Sequence, residues 1–340
     1  MSASELLDRW RERMPAPLER LVGMRPRYPL VGVELRPDAV IAARVGRRKG
    51  AWHLEGTGRA ALPDGTIETG PVGGELRDGE ALVAAVREAL AAAGAEGTTR
   101  ISLAVPDALA RMFVVDVRDL PAAHAQADEM IRFRIRKSIP FPLSEARLAW
   151  HNLGRFEDGH IHVLVAVAPE QGVGQIERTL EAAGLRTGLV DLASIELINA
   201  LRLAGQLEAA GGGDLALINA TTGSFSVAIL RGERLIFFRS KAYHVQGGFR
   251  GDESLRVVGR ELRTTMSYYE EHLLGEGLSE VLVRACGVPA EPLIELALEA
   301  GGREAAVPDA SGLLPELGAF ETDEIGELLP ALGLALRRLA

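Results

Sequence analysis

Apolar residues in the first third of the chain follow first a strand period and then a helix period. Short apolar runs alternate with polar breaks such as the one after Leu35, which is typical of an antiparallel meander of strands. Farther on, apolar residues recur at helical spacing from Leu82 to Leu90. The predicted elements are strands at 29–35, 39–45 and 52–57, a helix that ends at Gly94, and a buried strand at 101–105.

The middle of the chain predicts a second group of elements. They are a strand at 112–117, a helix at 124–139, strands at 146–153 and 160–168, a helix at 172–183 and a strand at 188–191. Pro140 and Pro142 end the first of these helices, because proline cannot continue an α-helix. The pattern predicts a compact α+β unit. A further helix is expected at 192–207, followed by a glycine-rich linker at 211–213.

The strand-turn-strand pattern of the first third returns after these glycines. The predicted elements are strands at 215–220, 225–230, 235–239 and 280–283, and helices at 254–274, 291–300 and 328–339. In both halves the first strand ends in a polar residue at the turn, Glu34 in one half and Asn219 in the other. We therefore expect a duplicated α/β fold, with a cleft between two related halves.

Composition narrows the classes of function. The 340 residues include 38 Lys and Arg against 47 Asp and Glu, and this net charge of −9 argues against a nucleic-acid partner. A single cysteine, Cys286, excludes a disulfide framework and a thiolate zinc site. No apolar run approaches the ~20 residues that span a bilayer. Residues 1–27 are predicted to form an amphipathic helical extension, too charged for a signal peptide. A cytoplasmic protein is expected.

Several segments spread over the chain carry a family resemblance. They are Leu62-Pro-Asp-Gly-Thr-Ile67, Ile139-Pro-Phe-Pro-Leu143, Ala182-Ala-Gly-Leu185 with Val190-Asp-Leu-Ala-Ser194, Phe238-Arg239 with Gly247-Gly248, and Leu332-Gly-Leu-Ala-Leu-Arg337. None of them is specific alone, but their order and spacing from about residue 28 to 339 resemble the PilM family, the actin-like cytoplasmic proteins of type IV pilus assembly. The type II secretion protein GspL is more distantly similar.

The resemblance implies an actin-like (ASKHA) duplicated fold in which an inserted α+β domain, 1C, replaces the usual 1B. The expected units are the extension at 1–27, subdomain 1A at 28–108, subdomain 1C at 109–189, a return to 1A with a linker at 190–212, and subdomains 2A and 2B at 213–340. The implied role is that of a scaffold. Its expected partners are the N-terminal tail of a PilN-like inner-membrane protein, the pilus motor ATPases and the platform proteins, with no membrane span of its own. The location implied is cytoplasmic, peripheral at the inner membrane through that partner.

Proteins of this fold hold a nucleotide between their halves, in the turns after the first strand of each half. Acidic residues there hold Mg²⁺ and the attacking water, and small residues let backbone N–H groups approach the phosphates. This chain departs from that pattern in each of its three loops. The candidate cofactor-binding residues are Glu34 and Arg36 in the first turn, Asn219, Thr221 and Thr222 in the second, and Gly287 in the expected adenosine turn, where one glycine stands in place of two.

These departures weaken a nucleotide site. Pro37 has no N–H to donate to a phosphate, and the Asn219 amide gives a cation no charge. We therefore expect no catalytic residues and no ATP hydrolysis, and ATP with Mg²⁺ is expected to bind weakly or not at all. Two alternatives remain open. One is an active actin-like ATPase of pilus or type II secretion assembly, and the other is a filament-forming protein similar to FtsA, which also carries a 1C domain.

The expected partner site lies where the inserted domain joins the parent domain, because such junctions create grooves. The prolines on either side of Phe141 hold an extended backbone, which leaves Phe141 and Leu143 able to contact a peptide. The alternative is that Phe141 packs on the core of the inserted domain. The candidate partner-binding residues are Phe141, Leu143, Leu109 and Leu192.

Overall fold

The computed structural model of the protein describes residues 28–70, 73–156, 159–207, 213–243, 249–273, 275–337 and 339. Three sequence predictions fall wholly or mainly outside these residues. They are the helical extension at 1–27, the glycine linker at 211–213, and the Gly247-Gly248 pair.

The first part of the chain forms the predicted meander, helix and closing strand. Its elements are β1 (Val31–Leu35), β2 (Ala39–Arg48), β3 (Ala51–Ala61), β4 (Ile67–Gly70), β5 (Gly73–Leu76), α1 (Gly79–Ala92) and β6 (Arg100–Val105). Helix α1 begins where the Asp78 side chain accepts a hydrogen bond from the backbone N–H of Ala81, as an N-cap does. The hairpin of β4 and β5 was not predicted; it occupies the turn-rich stretch after β3.

The middle of the chain divides between two sheets. Its elements are β7 (Arg111–Val117), α2 (His124–Ile135), β8 (Ala146–Arg155), β9 (Ile161–Pro169), α3 (Gln175–Ala182), β10 (Arg186–Leu192) and α4 (Ala193–Leu203). Strands β7, β9 and β8 form a separate three-stranded antiparallel sheet, in that order. Strand β10 instead pairs in parallel with β6. The βαββαβ run of the sequence analysis is therefore not one sheet, since its last strand belongs to the first half.

The last part of the chain repeats the first. Its elements are β11 (Asp214–Ala220), β12 (Ser224–Arg231), β13 (Arg234–Ala242), α5 (Gly251–His272), β14 (Leu278–Ala285), α6 (Glu291–Glu299), β15 (Ala305–Ala306) and α7 (Thr322–Ala335). The two five-stranded sheets have matching orders, β3-β2-β1-β6-β10 and β13-β12-β11-β14-β15. In each sheet the meander is antiparallel and the other two strands join in parallel. The predicted duplication is confirmed.

Helix α7 returns to the first half and closes its core. It packs on β1, β2 and α4, and Leu329, Leu332 and Leu336 around it are completely buried. A side chain at Gly32 would collide with the backbone oxygen of Ala331, so this strand and helix approach each other as only glycine allows. The last helix of the chain thus packs mainly on the first half.

Candidate functional site

The candidate site lies where the two sheets present the carboxyl ends of their central strands to each other. Glu34 is near the end of β1 and Asn219 near the end of β11, and both are buried. Strand β14 lies parallel to β11, and its Arg284 stands directly beside Asn219 in the strand register. In an open α/β sheet, ligands bind at this edge.

The Arg284 guanidinium occupies the space between Glu34 and Asn219. It forms two hydrogen bonds with the Glu34 carboxylate, at 3.0 Å from Nη1 and 2.7 Å from Nη2, and Nη1 also donates to the Asn219 Oδ1 at 2.9 Å. Its remaining N–H groups donate to the backbone oxygens of Gly326, at 2.6 Å, and Glu327, at 3.3 Å. All five donors of the guanidinium are therefore satisfied, and its charge is paired within a completely buried site.

A second carboxylate, Asp107, forms the other half of this buried network. Its Oδ2 accepts hydrogen bonds from Ser194 Oγ at 2.5 Å, Ser226 Oγ at 2.7 Å and Asn219 Nδ2 at 3.4 Å, and its Oδ1 accepts from the Ser194 N–H at 3.0 Å. Asn219 thus accepts from Arg284 and donates to Asp107, because an amide carries both an acceptor oxygen and a donor nitrogen. A carboxylate at position 219 could not donate to Asp107.

Burial affects the ionisation of both acids. It raises the pKa of Glu34 above its ordinary value, while the charges of Arg284 and Arg36 oppose that rise. Burial likewise raises the pKa of Asp107, opposed by its hydrogen bonds with Ser194, Ser226 and Asn219. The two acids therefore depend on these partners to remain ionised inside the protein.

The predicted turns contact each other directly across the cleft. Thr222 Oγ1 donates a hydrogen bond to Asp38 Oδ1 at 3.2 Å. A Cβ at Gly223 would lie 2.6 Å from the ring of Pro37, and a Cβ at Gly287, where φ is +71°, would lie 2.7 Å from Thr222. The three loops that would surround a nucleotide are thus packed against one another.

Arg36 is also held within the protein. It is 1% exposed, and its guanidinium lies 3.3 Å from Glu327 Oε1 and 3.4 Å from Asp38 Oδ2. Its ion-paired side chain fills the volume beside the first turn. The free thiol of Cys286 is buried nearby.

The structure brings all six predicted cleft residues together. The space left among Glu34, Arg36, Asp107, Asn219 and Thr221 is a cavity of about 10 Å³, enough for roughly one water molecule. Among the described residues, no three His, Cys, Asp or Glu side chains converge as metal ligands do. In this arrangement the space among these residues is too small for a nucleoside triphosphate with its Mg²⁺, and Arg284 already occupies the side-chain oxygens of Glu34 and Asn219.

The four predicted partner-binding residues do not lie together in one groove. A groove of about 540 Å³ runs between β10 and the three-stranded sheet, and Leu192 lies on it together with Leu148, Val190 and Ala166. Leu109 is completely buried beneath β5 and is not part of this lining. Phe141 and Leu143 are half-buried and pack against the core of the three-stranded unit. Of the four, only Leu192 borders the groove.

Four residues of the buried network were not predicted from the sequence. They are Arg284, Asp107, Ser194 and Ser226. The available signals were a charged residue at the end of an apolar strand for Arg284, and a Pro-Asp step after a buried strand for Asp107.

Duplicated sheets of matching order, facing each other across a polar cleft, define an actin-like fold. Residues 32–255 match the family model for the type IV pilus assembly protein PilM, and the chain belongs to that family. No curated protein matches the sequence significantly. The sequence prediction of both fold and family is confirmed.

Solved structures resemble the chain to different degrees. The structure of the PilM-PilN type IV pilus biogenesis complex matches with a TM-score of 0.72 at 19% identity, over 93% of this chain and 100% of that chain. The cytoplasmic domain of EpsL, an inner-membrane component of the type II secretion system of Vibrio cholerae, matches with a TM-score of 0.48 at 11% identity, over 86% of this chain and 94% of that chain. No helix of the residues described here is long and apolar enough to cross a membrane.

Proposed function

We propose that the protein is a scaffold of type IV pilus assembly that binds the cytoplasmic tail of a PilN-like membrane protein and does not turn over nucleotide. Family membership and the similarity in fold to a PilM-PilN complex support the choice of partner. In this proposal the protein associates with the inner membrane by binding that membrane protein. Contacts with the motor ATPases and platform proteins are part of the same proposal.

The observation that carries the absence of turnover is the Glu34–Arg284 ion pair. A Mg²⁺ ion and its water shell need open coordination positions on oxygen ligands. Here Arg284 supplies a fixed positive charge and directs three N–H donors at the Glu34 and Asn219 oxygens that a cation would use. Nucleotide would have to displace a fully paired guanidinium from the protein interior, and doing so would leave Glu34 without its partner.

The proposed tail site is the groove between β10 and the three-stranded sheet. Strand β10 is an edge of the first sheet and β8 an edge of the three-stranded sheet, so among the described residues no further strand pairs with the backbone groups on the outer side of either strand. An extended peptide can use such groups for main-chain hydrogen bonds and apolar lining for its side chains. Leu192, Leu148 and Val190 supply that lining.

The division into subdomains follows the family pattern in this proposal. The three-stranded sheet with α2 is the core of the inserted 1C domain, and the first and second five-stranded sheets are the centres of subdomains 1A and 2A. The tail groove then lies between 1A and 1C.

The test is a pair of titrations on the purified protein. A labelled peptide of the partner's N-terminal tail should bind in fluorescence anisotropy, and Ala149→Trp, which fills the groove from an exposed lining position, should weaken binding at least tenfold. Ala51→Trp, also exposed but on β3 at the opposite edge of the first sheet, is the matched control and should leave binding unchanged. Equal affinity in both variants would remove the groove from the proposal.

A phosphate-release assay with Mg²⁺ and ATP checks the other half of the proposal. We expect no release above background. Steady turnover that Glu34→Ala abolishes would instead establish the active-ATPase alternative.

A further inference from the structure

Helix α2 carries an aromatic side chain on the face that is turned away from its sheet. The helix packs on the three-stranded sheet through Ala127, Ile131 and Ile135, which are buried. Phe133 lies on the opposite face, because a residue two positions from Ile131 and from Ile135 points away from the packed side of a helix. Its side chain is 73% exposed, the largest fraction for a large apolar residue in the described part of the chain.

Basic side chains surround this ring. Residues 132–137 contain four basic side chains and no acidic one. Arg132 pairs with Asp128 at 2.7 Å. The other three are exposed and form no ion pair with a described carboxylate; they are Arg134, Arg136 and Lys137.

The ring and the charges share one surface. The Arg136 guanidinium lies 5.5 Å from the centre of the Phe133 ring, and residues three and four positions apart are neighbours on a helix. We call this surface the α2 patch. It consists of Phe133, Arg134, Arg136 and Lys137.

The charges beside the patch leave it positive. The Arg134 guanidinium donates a hydrogen bond to the backbone oxygen of Asp116 at 2.7 Å, which places it beside the end of β7. The exposed charged residues nearby are the bases Arg118 and Arg155 and the acids Asp116, Asp119 and Glu129. With those of the patch, five bases stand against three acids, in a chain whose net charge is −9. An anionic surface therefore attracts this region and repels most of the rest of the molecule.

Helix stability alone does not explain the patch. Basic residues in the last turn favour a helix, because they lie near the negative end of its dipole. That effect accounts for Arg132 and Arg134 in the last turn of α2. It gives no reason for an exposed phenylalanine among them, since burial of such a ring would be favourable.

A membrane that contains anionic lipids satisfies both parts of the patch. Each Lys or Arg near such a surface strengthens binding about fivefold. Aromatic rings are favoured at the level of the lipid headgroups, where an apolar ring can leave water while charged neighbours stay hydrated. Phe133 projects from a helix, which suits a flat lipid surface, whereas an acidic protein would need a pocket to receive the ring.

The position of α2 next to the tail groove agrees with this choice. Arg132 of α2 lines that groove. A peptide in the groove lies beside α2, so a tail that is anchored in a membrane would hold the helix near that membrane. This step rests on the proposed function. Linked weak contacts of this kind reinforce each other, and stable membrane attachment commonly needs two of them.

From these observations we propose that the α2 patch binds the anionic lipid surface of the membrane, with Phe133 at the level of the headgroups and the three basic side chains against lipid phosphates. An acidic surface of another protein is the competing occupant. Lipid binding by the patch requires no tail peptide, so it can be tested without one, and its failure is distinguishable from a failure of tail binding.

The test is sedimentation of the purified protein with vesicles, in the absence of any tail peptide. Vesicles of three parts phosphatidylcholine to two parts phosphatidylglycerol should bind it at least tenfold more strongly than phosphatidylcholine alone. Arg136→Glu with Lys137→Glu should weaken that binding at least tenfold. Arg256→Glu with Arg260→Glu makes the same charge change at exposed positions of α5, and should alter binding less than threefold. Equal binding by the two double variants, or to the two kinds of vesicle, would overturn the proposal.

A fluorescence measurement tests the ring without changing any charge. Phe133→Trp should shift its emission to shorter wavelength on anionic vesicles and be quenched by brominated lipid chains. Leu298→Trp, at an exposed position of α6, is the control and should show neither effect. Absence of quenching at position 133 would contradict the proposal.

A polyglutamate peptide is the probe for the competing occupant. We expect it to bind the unaltered protein at least tenfold more weakly than the anionic vesicles do. Tight binding of this peptide together with no binding to the vesicles would overturn the proposal and assign the patch to an acidic protein.

Discussion

Arg284 is a buried cation whose charge is matched by Glu34 and whose position is fixed by two carbonyl groups at the start of α7. A buried ion pair of this kind gives little net stability over an apolar pair. Removal of one partner is costly, however, typically about 3–5 kcal/mol, since it leaves the other charge unpaired. The same arrangement explains why position 219 carries an amide. The Asn219 side chain links the Arg284 guanidinium to the Asp107 carboxylate.

This arrangement predicts that two substitutions would create a cation site in the cleft. Arg284→Ala with Asn219→Asp removes the guanidinium and adds a carboxylate beside Glu34 and Asp107. The three acids should repel one another without a cation, and Mg²⁺ should relieve that repulsion. We expect Mg²⁺ to raise the melting temperature of this variant by several degrees and to leave the unaltered protein unchanged, measured by calorimetry.

Arg284→Ala alone serves as the control for that experiment. It loses the ion pair but gains no carboxylate, so its melting temperature should fall and respond less to Mg²⁺. Asn219→Asp with Arg36→Gly keeps Arg284, and we expect it to bind no more nucleotide than the unaltered protein. A gain of nucleotide affinity in that variant would show that Arg284 does not block the site.

The residues of the cleft could be predicted from the sequence only in part. Glu34 and Asn219 follow a repeated strand pattern, so their positions at equivalent turns could be inferred from periodicity. Arg284 is 65 residues from Asn219 in the chain. The two side chains meet only because of the register in which β14 pairs with β11. A local pattern does not contain such a register.

At the scale of elements, the helices and central strands could be predicted from the sequence. The sheet to which β10 belongs could not. Hydrophobic periodicity identifies β10 as a strand, but its pairing with β6 depends on contacts far apart in the chain. The β4–β5 hairpin escaped prediction because Gly70, Gly73 and Gly74 interrupt the apolar alternation there. At Gly74 a side chain would collide with Leu109, so the glycine that obscures the strand pattern is required by packing.

A cluster of charges joins β10, α4 and the residues after α7. Arg337 lies 2.9 Å from Glu196 and 3.5 Å from Asp191, and Glu196 is completely buried. Burial raises the pKa of Glu196 to about 8, with the charge of Asp191 adding to the rise and that of Arg337 opposing it. These three elements are therefore linked through a carboxyl group that retains its proton near neutral pH.

This raised pKa predicts a dependence of stability on pH. An unfolded chain releases the Glu196 proton near pH 4.5, whereas the folded protein retains it until about pH 8. The folded state binds more protons in that interval, so the free energy of unfolding contributed by this group falls as pH rises, by at most about 1.4 kcal/mol per pH unit, and levels off above pH 8.

Glu196→Gln should remove that contribution while keeping an oxygen for Arg337. We expect urea unfolding midpoints of the variant to fall less than those of the unaltered protein between pH 5 and pH 8, and the variant to be the more stable of the two at pH 8. Glu181→Gln, at an exposed position of α3, is the control and should follow the unaltered profile. Identical profiles for all three proteins would show that Glu196 is ionised when folded.

For the molecule as a whole, the buried network joins the two halves of the fold. Arg284 and Asn219 come from the second half, whereas Glu34, Asp107 and helix α7 belong to or pack on the first. The turns add direct contacts, Thr222 with Asp38 and Gly223 with Pro37. The duplication itself was predictable from the repeated meander. The side-chain closure was not, because it depends on residues from many separate strands, loops and helices meeting at one point.

The last prediction follows from that closure: the relative position of the two halves should not respond to nucleotide. Spin labels at Glu88→Cys on α1 and Glu299→Cys on α6, both exposed, report the distance between the halves in pulsed electron resonance. Cys286 is buried and should remain unlabelled. We expect one narrow distance distribution that Mg²⁺ with ATP leaves unchanged. Arg284→Ala in the same labelled protein should broaden it, since the bridge between the halves is then lost. A shift on addition of Mg²⁺ with ATP to the protein that retains Arg284 would show that a ligand, and not this guanidinium, sets the closure of the cleft.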